Sequence, residues 1–129
     1  MKRLLMVLLV MLATGMAFAG GTSEEYTREE YDKRGFVDRS DWLYEFNSVA
    51  NKVVEEAKYI IGEKKDFLDS NAHKNIFDSN CMKYNVLLDI GVERTFIDDK
   101  TRKQQIDKLV AERDKVSKYL AQQSSGLGL

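Results

Sequence analysis

From Leu43 to Phe67, apolar side chains recur at alternating steps of three and four: Leu43, Phe46, Ala50, Val53, Ala57, Ile60 and Phe67, with Lys64 at the one interrupted step. A helix turns once in about 3.6 residues, so this spacing gathers the set onto one stripe; a strand would scatter it over two faces. Trp42 and Val49 widen the stripe on one flank, and Val54, Ile61 and Leu68 widen it on the other. An apolar face that broad needs other helices to cover it. Ser40 is placed to cap the start of this helix, with Asp41 in its first turn. Gly62 falls opposite the stripe, where it weakens the helix without interrupting the face.

The rest of the chain points the same way. None of the 129 residues is proline, the residue that breaks helix interiors. Cys81, Tyr84, Leu87 and Leu88 make a second helical face, with Val92 as its extension beyond Gly91. Asp98 or Asp99 caps a third helix, in which Ile106, Leu109, Val116 and Leu120 keep the spacing and Arg113 occupies the missing seam position. The expected fold is all-α: a small antiparallel helical bundle or helical hairpin of about three main helices, with pairing of coiled-coil type.

A nine-residue unit occurs twice in tandem, at 66–74 and 75–83. Each copy reads Asp or Asn, two apolar residues, then Asp-Ser-Asn, a small residue, any residue and Lys. Asp, Ser and Asn bond back to nearby backbone and favour turns and caps. The first copy is expected to end the long helix. The second is expected to start the next one, with Ser79 or Asn80 as the cap. Two short copies do not make a solenoid.

The N-terminus has the three-part order of a secretory signal. Lys2 and Arg3 precede an apolar run from Leu4 to Ala13, and Ala17-Phe18-Ala19 supplies the small-x-small cleavage pattern. A membrane-spanning helix needs about 20 apolar residues, roughly twice this uninterrupted run. Cleavage is expected between Ala19 and Gly20, without stable membrane insertion afterwards. The expected location is periplasmic or secreted. The organisation is then a signal peptide at 1–19, a polar acidic arm with a short helix at 20–39, a helical domain at 40–123 and a flexible tail at 124–129. In the arm, Thr27-Arg28-Glu29-Glu30 has the form of a capping box. Gly35 can end a helix over 28–34 in a left-handed turn, with Phe36 as the accompanying apolar contact.

After the leader the chain carries 18 basic and 21 acidic residues. That balance provides no basic face for nucleic acid. Residues 20–41 hold 7 acids and 4 bases, whereas 98–121 hold 5 acids and 7 bases. The uneven spread reads as solvated surface.

Chemistry-bearing residues are few. His73 is the sole histidine, and it sits among turn-forming residues as a surface side chain. It does not assemble with Asp69, Asp78 and Cys81 into the three or four converging ligands that zinc needs. Neither Asp-Ser-Asn unit begins an EF-hand loop, because the sixth and twelfth positions from Asp69 are Lys74 and Asn80, and from Asp78 they are Lys83 and Asp89. No phosphate-cradling glycine loop, His-Glu-x-x-His or Gly-x-Ser-x-Gly occurs. No cofactor is implied. Cys81 is the single cysteine, so an internal disulfide is impossible. It reads as a small core residue, with a disulfide to another chain or a thiol-dependent activity as alternatives.

Half of the twelve aromatic residues outside the leader lie in the first quarter of the mature chain: Tyr26, Tyr31, Phe36, Trp42, Tyr44 and Phe46. Trp42 and Phe46 face the core by spacing. Tyr26, Tyr31 and Tyr44 are the candidate partner contacts, since tyrosine offers rigid area with a polar tip; the other reading is an arm that lids the bundle. The start of the third helix, Asp98-Asp99-Lys100-Thr101-Arg102-Lys103-Gln104-Gln105-Ile106, is similar to the Gln-bearing helix starts of small periplasmic stress chaperones. It lacks their Leu-Thr-x-x-Gln motif and has no second copy, so no family is assigned. The functional expectation is an exported, non-enzymatic helical protein acting by protein–protein contact, as an adaptor, inhibitor or chaperone-like factor. Its partner would be another envelope or secreted protein, or a second copy of itself. The alternatives are a thiol-dependent redox protein or enzyme using Cys81, and a small-ligand carrier with a pocket in the bundle.

Overall fold

Each of the three long helices begins on an aspartate. The carboxylates of Asp38, Asp69 and Asp98 accept from the amides of Asp41 at 3.0 Å, Ala72 at 2.7 Å and Thr101 at 2.7 Å, three residues into the helix that follows. Each bond satisfies one of the amides that a helix start leaves without a partner. The computed structural model describes residues 23–126, which form four helices and no strand. These are α1 (Ser23–Arg34), α2 (Arg39–Ile60), α3 (Ser70–Glu93) and α4 (Asp99–Gly126). None of them is long and apolar enough to cross a membrane. The signal peptide expected at 1–19, and its expected cleavage site, lie outside the described residues.

The chain divides into two units, Met1–Gly35 and Phe36–Leu129. In the first, α1 starts earlier than the capping-box pattern suggests. Thr27 is therefore inside the helix, and its hydroxyl donates to the Ser23 carbonyl at 2.9 Å instead of capping. The stop is as expected: Gly35 has φ 69°, and its amide donates to the Tyr31 carbonyl at 2.8 Å, closing the last turn.

In the second unit, α2 starts from Asp38 rather than Ser40, and Asp41 reaches back to the Val37 amide at 3.2 Å. It also stops sooner than the apolar stripe suggests. Gly62 has φ 84°, its amide bonds the Tyr59 carbonyl at 3.2 Å, and the Glu63 amide bonds the Lys58 carbonyl at 2.9 Å. This pair of bonds is a Schellman termination, which needs a left-handed residue and finds it cheaply in glycine. The first Asp-Ser-Asn copy therefore does not end α2. It forms the connection and the cap of α3. The second copy lies inside α3, where Asn80 Nδ2 donates to the Ile76 carbonyl one turn back at 2.8 Å instead of capping. Lys64 and Phe67 leave the stripe for the connection, and Phe67 is 97% exposed. At the other end of the chain α4 continues to Gly126, past the expected start of a flexible tail at 124.

The central element is α3, buried at Val86, Leu87, Leu88, Ile90 and Gly91, around most of its circumference. It packs most extensively on α2, and α4 makes a lighter contact with both. From α2 the buried residues are Trp42, Phe46, Val49, Val53, Glu56, Ala57 and Ile60. The core thus lies toward the Trp42 and Val49 flank of the stripe. Leu43 and Ala50, expected at its centre, are half-buried, and Val54 is 40% exposed. From α4, Leu109 and Val116 are buried, while Ile106 and Leu120 are half-buried. Leu87 and Leu88 are fully excluded from water, each contributing about 1.5–3 kcal/mol of burial. Arg113, the charged seam position, is exposed.

Candidate functional site

Turning the core toward one flank of α2 leaves the other flank facing α4 across a groove of about 390 Å³. Trp42, Phe46, Tyr84 and Leu109 line its deep part; Leu43, Ala50 and Val54 supply the α2 wall. The Tyr84 hydroxyl donates to the Gln105 carbonyl at 2.7 Å, which ties α3 to α4 beneath the opening. Polar side chains of Arg39, Asn47, Gln105, Lys108 and Glu112 also contribute to the lining. Along α2 the lining runs from Arg39 to Val54, about 22 Å at 1.5 Å per residue, and along α4 from Thr101 to Glu112, about 17 Å.

A second place is built around two buried charges. In α2, Glu56 continues the Val49–Val53–Ile60 spacing and is 6% exposed. A carboxylate there is costly unless it is paired. Its partner is His73, one turn into α3 and 3% exposed, so this histidine is not the surface side chain expected from its turn-forming neighbours. His73 Nδ1 donates to Glu56 Oε2, and Nε2 donates to Asp66 Oδ1 at 2.9 Å. A neutral imidazole has only one N–H; two carboxylate partners require the imidazolium. Tyr59 stacks on the ring, with centroids 4.4 Å apart and planes 6° from parallel. The hydrogen bond to Asp66 raises the His73 pKa most, against the opposing effect of burial, and Glu56 adds to the rise. The same bond holds the Asp66 carboxyl below its ordinary value. Sequence spacing carried a signal for this site: Glu56 falls within the buried stripe and therefore demands a cation. What it lacked was any sign that the cation would come from a residue 17 positions away.

The candidate contact tyrosines separate by burial. Tyr26 on α1 is 44% exposed and Tyr44 on α2 is 77% exposed, so both are accessible. Tyr31 is 7% exposed, the one buried residue of α1, and so differs from the exposed contact expected of it. Cys81 is a buried core residue at 5% exposure, and burial pushes its thiol up to about 11. A nucleophilic or exchanging cysteine needs thiolate and access. This environment supplies neither, which speaks against both a thiol-dependent activity and a disulfide to another chain. Among the described residues, no group of three or more His, Cys, Asp or Glu side chains is arranged to hold a metal ion. Every buried side-chain polar atom among them has a hydrogen-bond partner. In comparison with known proteins, the chain matches no family, no curated protein and no solved structure.

Proposed function

We propose that the chain is exported, loses residues 1–19, and acts by protein–protein contact, receiving an amphipathic helix of another envelope or secreted protein in the groove between α2 and α4. The groove carries this reading. It is apolar in its depth, polar at several lining positions and open along three turns of helix, the shape that takes apolar anchors at helical spacing. Its volume suits a few large side chains rather than a whole helix, so the partner's helix would lie across the opening with its anchors inserted. Tyr44, 77% exposed on α2, is an aromatic side chain available for partner contact. The leader's three-part order supports export, and the residual charge after cleavage offers no basic face to nucleic acid. An antiparallel pairing of α2 with α3 is supported by bonds at opposite ends: Trp42 to Leu87, and Glu56 to His73.

The test is site-specific photocrosslinking in producing cells. A photoreactive residue at Val54 should yield an adduct in the envelope or secreted fraction, and one at Lys115 should not. The adduct should vanish when Ala50→Glu is added. Its crosslinked peptide should map to an amphipathic helix of another protein. Equal crosslinking from both positions, or an adduct formed with a second copy of the chain, would defeat this reading. N-terminal sequencing of the exported protein should begin at Gly20; a retained Met1 would refute the export step.

A further inference from the structure

The connection from α2 to α3 is exposed at every residue from Gly62 to Asp69, yet it carries Phe67 and Leu68 at a defined place. An exposed segment with no buried side chain has little to hold it. Its contacts with the bundle include the backbone bonds of Gly62 to Tyr59 and of Glu63 and Lys64 to Lys58 at its start, the Lys64 ammonium over the Tyr59 ring at 5.7 Å, the Lys64–Glu55 pair at 3.8 Å, and Asp66 on His73 at 2.9 Å. The Lys64–Glu55 pair is long, with both side chains almost half exposed, and contributes little. The Asp66–His73 bond is charge-assisted and ends on a buried ring.

We propose that His73 is a proton-operated clasp: as an imidazolium it joins Glu56 of α2 to Asp66 of the connection and holds residues 62–69 in place, and when it loses a proton the connection is released with Phe67 and Leu68. The two arms are unequal. The Glu56 side chain is 8% exposed and that of Asp66 is 27% exposed. The neutral ring keeps one N–H, and that proton stays with the carboxylate that water cannot reach. The lone pair then falls on Nε2, facing Asp66, whose carboxylate can turn to solvent. The bond to the connection is therefore the one that opens.

The groups around the ring fix the direction. Glu56 and Tyr59 face it from α2, Asp66 from the connection, and Lys64, Lys65 and, from α4, Tyr119 line the cleft beside it. The carboxylates outweigh burial, and the imidazolium persists above its ordinary value of 6.5. The clasp is fully closed below 6.5 and is lost as pH rises through the higher folded value. At the acid end it is lost as pH falls through the Asp66 value, which lies below 3.8.

Trypsin reads this directly, because Lys64 and Lys65 lie in the connection. Cleavage there, normalised at each pH to an unstructured peptide substrate, should rise by about tenfold between about pH 6 and about pH 9. The midpoint should coincide with the His73 ring titration followed by NMR on the whole protein. His73→Gln risks the fold, so Asp66→Asn is the decisive variant, since this side chain lies outside the core. Its circular dichroism should match the parent, its normalised cleavage should be fast and flat with pH, and its ring midpoint should fall. A flat profile in the parent, equal profiles in parent and variant, or a ring midpoint at or below 6.5 would each overturn the proposal.

Discussion

The indole of Trp42 occupies the space that a side chain on Gly91 would need. A Cβ built there would lie 2.7 Å from Trp42 Cζ2 and 3.1 Å from both Trp42 Cε2 and Ile97 Cγ1. Trp42 is 1% exposed and stacked on Phe46 at 5.3 Å, and its Nε1 donates to the Leu87 carbonyl at 2.8 Å. This contact joins the first turn of α2 to the last turns of α3, and it needs a bare backbone on α3.

Gly91→Ala should therefore destabilise the protein, although alanine is the better helix former. Propensity favours Ala by about 1 kcal/mol, while overpacking a rigid buried ring costs about 1–3 kcal/mol. Urea unfolding should show a net loss of about 1 kcal/mol or more, with a shifted Trp42 fluorescence maximum in the folded state. An unchanged or raised midpoint would mean that the indole can move aside.

Thr95→Gly should go the other way. Thr95 ends α3 at φ 59°, and the Phe96 amide bonds the Gly91 carbonyl at 2.8 Å in the same termination that Gly62 provides for α2. A β-branched residue in the left-handed region carries about 1–2 kcal/mol of strain. Glycine removes it, at the cost of some unfolded-chain entropy and of the Thr95 hydroxyl bond to the Arg94 carbonyl. A gain of up to about 1 kcal/mol is expected in thermal and urea unfolding.

Acid should unfold the protein partly through Asp98. The Thr101 amide, followed by its hydroxyl, holds this carboxyl below the ordinary 3.8. The stabilisation is present above 3.8 and is lost as pH falls through the lower folded value. Asp98→Asn keeps a capping oxygen without the charge. Its urea midpoint should match the parent at neutral pH and depend less on pH between about pH 2 and about pH 5. Parallel acid limbs would show that the cap does not contribute through its charge.

Cys81 should be nearly inert in the folded protein. With its thiol near 11, about one part in a thousand is thiolate at pH 8. Alkylation should be slow in buffer and reach the rate of a free cysteine in urea, and gel filtration should be insensitive to reductant. Free-cysteine reactivity in buffer would contradict the burial.

Much of the helical layout was legible because its signals are local. The apolar spacing of α2 and α4, the Asp98 cap and the left-handed stop at Gly35 are each written within a few residues of where they act. The Asp-Ser-Asn repeat shows the limit of local reading. Both copies offer the same capping chemistry, yet Asp69 caps α3 while Asn80 lies inside it. Gly62 was likewise visible, but its position opposite the stripe disguised it as an exposed helical residue rather than a stop.

By itself the sequence determined that this chain forms helices, where α4 starts and α1 stops, and which residues are apolar enough to meet. Only the tertiary structure decided how far α2 is turned, and so that Leu43, Ala50 and Val54 border a groove instead of filling the core. It also placed His73 between Glu56 and Asp66, pairing a buried carboxylate with the chain's one imidazole. Helical spacing is set by backbone geometry within a few residues, whereas these arrangements depend on side chains far apart in sequence competing for the same buried space.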